Sequence, residues 1–216
     1  MEQTPGKSRD RYDVSGSVEA EYVDADRTVL VNKRGVTGLA SLQLLEEEAL
    51  AQAYETLLGE IRVDTPMTCD LVRHVHRRIF GELYDWAGRW RTVWISKPGI
   101  TWPAPDFIDE NMHTWEREVL RKYPAASLGE NDAFRVAVAE IQAEFLVIHP
   151  FREGNARTIK LLTDLLAAQT GRPPLVYDQS EEGKKRYVEA ATAAFGKNYA
   201  LMAEVIRRAM EPTGRQ

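Results

Sequence analysis

Cysteine is nearly absent from the 216 residues. Cys69 stands alone, so no disulfide can close within the chain and no multi-cysteine metal site can form. Long apolar runs are missing too, since no stretch approaches the ~18 residues that a membrane-spanning helix needs. The opening residues, Met1 to Asp13, are polar and lack the apolar centre of a secretory leader. Nor is there a surplus of cations. Asp and Glu number 33 against 28 Lys and Arg, a net charge of −5, and generic binding to a phosphate backbone needs clustered positive excess. No internal repeat occurs, and no linker rich in Gly, Ser or Pro divides the chain. What is left is an ordinary globular composition, 44% apolar and 28% charged, in a chain long enough for one well-buried core. The expectation is a soluble protein, cytoplasmic or delivered into a host or neighbouring cell, that works with neither nucleic acid nor membrane.

Residues 1–17 are polar and read as a disordered tail, residues 212–216 as a second tail, and residues 18–211 as one folded domain with an N-terminal arm. The arm reads as extended to Val31 and ends in a turn at Asn32–Gly35. Apolar residues at helical spacing follow: Leu42, Leu45, Ala49, Ala53, Leu57 and Ile61 after an N-cap at Ser41, then Leu71, Val75, Ile79 and Phe80 from about Thr68. Glu46, Glu47 and Glu48 suit the N-terminal half of the first helix. Two runs rich in β-branched and aromatic residues, Trp90–Ser96 and Ile100–Pro103, flank Pro98-Gly99 and read as a β-hairpin. Further helices are expected over Pro105–Tyr123, from a cap at Asn131 to Pro150, on to Gly171, over Glu181–Phe195 and over Asn198–Met210. The fold class is mainly α, a helical bundle with one hairpin.

The loop from His149 to Arg157, HPFREGNAR, lies between two strongly apolar helices yet carries a His, a Glu, an Asn and two Arg. Polar groups held against a core are costly unless paired or used. Gly154 can adopt unusual dihedrals and let backbone approach a ligand. The amides after it open a helix, which is a ready anion site, and Arg157 and Lys160 add charge there. Glu153 offers a hard oxygen of the kind Mg²⁺ takes beside substrate phosphates, and His149 can serve as a base near neutral pH. The plain alternative is a helix–loop–helix corner whose His is satisfied by hydrogen bonds.

HPFREGNAR resembles the signature H-P-F-R-E-G-N-G-R of the Fic (Fic/Doc) family. Val29–Gly35 (VLVNKRG) is similar to the VLKNKLGI that opens many bacterial members. Leu83–Gly88 with Arg91-Thr92-Val93 is similar to their IYEWAGEYRTV segment, and Ile95–Pro105 to their SKGGFPFAPP flap. The resemblance implies a Fic fold and transfer of AMP from ATP to a Ser, Thr or Tyr hydroxyl of a target protein. Under it, His149 is the base, Phe151 anchors the loop and Glu153 holds Mg²⁺. Gly154, Asn155 and Ala156 lie against the phosphates, Arg157 and Lys160 bring charge to them, and Tyr187, Asn198 and Tyr199 lie near the base of the nucleotide. Thr92, Val93, Trp94, Ile95 and Ser96 become a flap that docks the target by main-chain pairing.

Two positions depart from the family pattern, Ala156 where Gly is usual and Lys160 where a second Arg is usual, and Lys lacks the bidentate fork of Arg. Doc-type relatives, with Ala at the position of Gly154 and Lys at that of Ala156, imply phosphorylation instead. A non-catalytic Fic fold is the third reading. The inhibitory pattern [S/T]-x-x-x-E-[G/N] has no strict match, so inhibition is expected from a separate antitoxin-like chain, as in a toxin–antitoxin pair. Of the other features, the five Trp are expected to pack in core and flap. His74, His76 and His113 take surface or hydrogen-bonded roles, Cys69 is inert, and Lys184-Lys185-Arg186 is a solvated helix face.

Overall fold

A computed structural model describes residues 18–211. The two tails expected at 1–17 and 212–216 lie outside the described residues. The arm begins with a 3₁₀ turn at Val18–Ala20, and an isolated bridge joins Tyr22 to Leu30. The Asp24 carboxylate accepts the backbone N–H groups of Thr28 and Val29, closing the turn between them and delivering Val29 and Leu30 to the core.

Seven α-helices follow among the described residues: α1 Leu39–Glu60, α2 Cys69–Phe80, α3 Ile108–Glu118, α4 Asn131–Ile148, α5 Asn155–Gln169, α6 Glu181–Ala193 and α7 Ala200–Ala209. α4 lies at the centre and packs against α3, α5, α6 and α7, while α1 and α2 pair with each other and both touch α5. α4 earns that place by composition. Phe134, Val138, Ile141 and Phe145 are buried along one face, and Ala137, Ala139 and Ala143 let neighbours approach on the others.

Several boundaries shift from the sequence reading. α1 starts at Leu39 with Gly38 as its N-cap, not at Ser41. Asn131 is the first residue of α4, and its side chain accepts from Arg172 instead of capping. Thr68, where the second helix is expected to begin, caps α2, its hydroxyl accepting from the Leu71 N–H. The helix expected over Pro105–Tyr123 is α3 flanked by 3₁₀ turns at Pro105–Phe107 and Leu120–Lys122, with Phe107 exposed.

The hairpin is shorter than its sequence suggests. β1 is Ser96–Lys97 and β2 is Ile100–Thr101, paired antiparallel as Ser96↔Thr101 and Lys97↔Ile100. Gly99, at φ +81°, supplies the left-handed residue that this Pro-Gly turn requires. Residues 91–95 do not join the ladder, and part of their backbone is taken by other partners. The Thr92 N–H donates to the Glu19 carboxylate, and the Val93 carbonyl accepts from Arg91. The strand-like alternation of the segment survives as burial: Arg91, Val93 and Ile95 face inward, Thr92 and Trp94 outward. Val93 and Ile95 form a small second core with Trp102.

Candidate active site

α4 ends at His149, which adopts the left-handed region at φ +51° and turns the chain into the loop. Phe151 is fully buried, stacked on the His76 ring at 3.7 Å between centroids. Asn155 closes the loop on itself: its side-chain carbonyl accepts the Phe151 N–H at 2.9 Å, and its amide group donates to the Phe151 carbonyl at 2.8 Å. Gly154, at φ +77°, directs the chain into α5. A side chain there is barred twice, since a Cβ would also lie 2.2 Å from the Phe80 ring.

One cavity of about 580 Å³ opens at this loop, a size in the usual range for small-molecule sites. His149, Glu153, Gly154, Asn155, Ala156 and Arg157 line one side of it. Trp102 and Lys97 of the hairpin region come from above, and Tyr187, Val188, Ala191 and Phe195 of α6 and its extension form an apolar wall opposite.

His149 Nδ1–H donates to the Leu146 carbonyl, an oxygen that Trp102 Nε1–H also reaches. A carbonyl only accepts, so the proton sits on Nδ1 and Nε2 carries the imidazole lone pair. Burial lowers the His149 pKa to about 3, helped by the charges of Arg91 and Lys97 and opposed by Glu153 and the Leu146 bond. The ring is therefore neutral throughout the physiological range, the form a base needs.

The remaining expected residues separate into those on the cavity and those away from it. Arg157 Nη1–H donates to Glu46 Oε2 at 2.7 Å, its other arm lies 3.7 Å from Glu153, and its guanidinium rests over the Phe80 ring. Lys160 is turned away. Its ammonium sits over the rings of Tyr177 and Tyr187, 4.2 and 4.1 Å from their centroids, and burial lowers its pKa to about 8. It is not among the lining residues, although a spacing of three residues puts it on the same helix face as Arg157, because its ammonium is drawn to the two tyrosine rings. Of the three residues expected near a nucleotide base, only Tyr187 lines the cavity. Asn198 caps Ala200 and Tyr199 bonds to Glu144.

Three site residues escaped the sequence reading. Glu46 is buried and holds both Arg157 and the Tyr84 hydroxyl, the latter at 2.6 Å. His76 accepts the Gly88 N–H on Nδ1 and donates from Nε2 to the Glu153 carbonyl, and burial lowers its pKa to about 3. Arg91, 2% exposed, reaches the His149 carbonyl. Each had a signal. Glu46 stands four residues after Leu42 and seven before Ala53 on the buried stripe of α1. His76 sits between Val72 and Phe80 on that of α2, and Arg91 has the parity of Val93 and Ile95.

Trp86, Trp102 and Trp115 are buried, Trp90 is half-buried, and Trp94 is 53% exposed on the hairpin side. The Cys69 thiol donates to the Met112 carbonyl, and burial pushes its pKa up to about 12, as inertness requires. No helix among the described residues is long and apolar enough to cross a membrane.

The two buried imidazoles set a pH dependence. Between the ordinary histidine pKa of 6.5 and the folded value of about 3, the unfolded chain binds more protons, so stability falls as pH falls. Asp164, raised to about 6 chiefly by burial, works in the opposite sense but is one group against two. The denaturation midpoint is expected to drop steadily from pH 7 to 4, and His149→Gln to flatten the slope by about one proton. A midpoint constant over that range contradicts the assignment.

The fold and the loop together define the class: the chain belongs to the Fic/DOC family, whose profile matches residues 66–167. It is 30% identical over 136 residues to the probable protein adenylyltransferase y4lH of Sinorhizobium fredii, covering 63% of this chain and 69% of that one. It is 27% identical over 187 residues to the protein adenylyltransferase VbhT of Bartonella schoenbuchensis, covering 87% of this chain but only 38% of VbhT. Among solved structures, BepC of Bartonella tribocorum, a translocated effector with bound AMPPNP, superposes at a TM-score of 0.66 with 18% identity, over 86% of this chain and 94% of that one. The architecture is thus the mainly helical Fic fold with a hairpin beside the loop.

Proposed function

We propose that this chain transfers AMP from ATP to a hydroxyl side chain of a target protein, residues 18–211 acting as one Fic domain. The observation that carries the reading is a single cavity lined by both His149 and the N-terminal turn of α5. In this reading His149 Nε2 takes the proton of the attacking hydroxyl, whose oxygen bonds to the α-phosphorus as the bond to the β-phosphate breaks and pyrophosphate leaves. The first amides of α5, which have no acceptor within their helix, receive phosphate oxygens, and Arg157 takes the outer phosphates. Asn155 shapes the loop through Phe151, and Lys160 stands off the phosphates. The apolar wall of α6 with Tyr187 takes the base, and the hairpin receives the target. Of residues 92–96, Val93 and Ile95 are buried in the second core and the Thr92 N–H and Val93 carbonyl are already held by Glu19 and Arg91, which leaves Trp94 exposed for docking. The two adenylyltransferase relatives and the nucleotide bound to BepC support it.

Glu153 fits Mg²⁺ in kind, being a hard carboxylate on the cavity wall. No group of three or more His, Cys, Asp and Glu gathers among the described residues, so such an ion would complete its shell from phosphate oxygens and water. Held by Glu153, it would neutralise phosphate charge as it develops. Gly154 separates this chain from the Doc-type pattern, and an Ala there would place its methyl in the Phe80 ring.

The test is incubation with a cell lysate and ATP labelled at either the α- or the γ-phosphate. Label on protein from the α position alone is the expected result, and transfer from the γ position alone overturns the reading. We also propose that restraint comes from a separate small chain. The protein by itself is then active, and strong activation by Glu46→Gln, the carboxylate already on Arg157, contradicts that part.

A further inference from the structure

We infer that Arg91 is a positioning residue that holds the hairpin and the His149 loop as one rigid piece, so that a hydroxyl docked on the hairpin meets the imidazole at a fixed distance. The inference rests on the function proposed above. Arg91 Nε–H donates to the His149 carbonyl at 2.9 Å, Nη1–H to the Val93 carbonyl at 2.7 Å and Nη2–H to the Pro103 carbonyl at 2.7 Å. The Arg91 backbone N–H donates to the Pro150 carbonyl at 2.8 Å. These acceptors belong to the loop, to the segment entering β1 and to the segment leaving β2. One planar guanidinium therefore joins both ends of the hairpin to the residue that turns from α4 into the loop.

The chemistry calls for arginine. A guanidinium presents five N–H groups in a rigid fork, whereas an ammonium offers three from one point and cannot span acceptors on three segments. The acceptors are all main-chain carbonyls, so the arrangement reads backbone position and not side-chain identity. The His149 carbonyl is the one whose direction is set by the left-handed backbone at φ +51°, a conformation that is strained for a non-glycine residue and persists only where its surroundings enforce it. Arg91 supplies one such constraint. It does not line the cavity, so it acts through His149 and the hairpin and not on the nucleotide. A second link runs in parallel. Glu19 of the arm accepts the Thr92 N–H with its carboxylate and the Arg152 Nε–H with its backbone carbonyl. The arm thus holds the hairpin entrance to the loop from the other side, and a loss at Arg91 loosens the join without dissolving it.

The experiment compares the full chain with Arg91→Lys and Arg91→Ala by three measurements. Amide hydrogen exchange is read over residues 93–103 and 149–154, with α4 and α5 as internal references. Binding of ATP with magnesium is measured by calorimetry. Transfer from α-labelled ATP is measured in a lysate that supports the wild type. In Arg91→Lys, exchange is expected to accelerate about tenfold in both segments together while α4 and α5 keep their protection. The Kd for ATP stays within about twofold, and transfer falls about 100-fold, the scale of an ångström-sized misplacement. Added guanidinium ion restores part of the transfer by Arg91→Ala, and methylammonium does not.

Acceleration in only one segment, transfer within twofold of wild type, or ATP binding and transfer lost in parallel each overturns the inference, the last because it marks a merely structural residue. A wild type that transfers no label counts against the proposed function. The joint exchange response of the two segments then still decides the role of Arg91.

Discussion

His149→Ala abolishes transfer: label reaching protein from α-labelled ATP is expected to fall between about 100- and 10,000-fold, the range a positioned general base contributes. The expectation follows from three features of the ring. Its tautomer is fixed by the Leu146 carbonyl, its neutral form is secured by burial, and it opens on the same cavity as Glu153 and Arg157. ATP binding should change little, because the phosphate-binding elements assigned here are amides of α5 and Arg157. Equal loss of binding and transfer would instead make His149 a structural member of the loop. The substitution also removes one buried imidazole whose ordinary pKa of 6.5 lies far above its folded value. The variant is therefore expected to withstand acid better than the wild type even as it loses activity, and that pairing separates a lost base from a damaged fold.

Gly154→Ala is the second large effect, and it acts on stability and activity together. The added methyl would lie 2.2 and 2.4 Å from two Phe80 ring carbons, at a φ of +77°. A left-handed alanine costs about 1–2 kcal/mol, and forcing an extra methyl into a packed core about 1–3 kcal/mol more. A total near 3 kcal/mol lowers the midpoint of thermal unfolding by roughly 6–12 °C in a chain of this size. Phe80 cannot simply withdraw, since it is fully buried and carries the Arg157 guanidinium over its face. Transfer should drop about 100-fold as the first amides of α5 are displaced. Phe80→Leu in the same chain should recover part of the thermal loss but not the backbone part. An alanine variant as stable and as active as the wild type would show that neither the close approach nor the left-handed conformation constrains the loop.

The comparison of sequence with structure is most instructive at the charged residues. Arg157 and Lys160 look alike in sequence, two cations one turn apart at a helix start. The structure sends one to the cavity, where Glu46 meets it from 111 positions away, and the other into an aromatic cage made by Tyr177 and Tyr187. Glu46 itself looks like one of three acids suited to a helix dipole, yet it is 7% exposed while its neighbours Glu47 and Glu48 face outward. The hairpin shows the same limit. Its composition proposes strands over Trp90–Ser96 and Ile100–Pro103, and Pro98-Gly99 places the turn correctly. The ladder closes over only two residues a side, and before it the Val93 carbonyl and the Thr92 N–H are taken by Arg91 and Glu19.

By itself the sequence determined the helical class, the position of the turn between the strands and the nine-residue loop with its base, its carboxylate and its helix start. Those features rest on local rules: periodicity of apolar residues, the dihedral range of glycine and the unpaired amides of a first turn. Only the tertiary structure decided which buried charge meets which partner, Arg157 with Glu46, His76 with the Glu153 carbonyl, and Arg91 with three carbonyls of the loop and hairpin. The reason is energetic. A charge or polar group leaves water only where partners compensate its desolvation, and those partners come from segments brought together by burial of the apolar stripes, at separations no local pattern encodes.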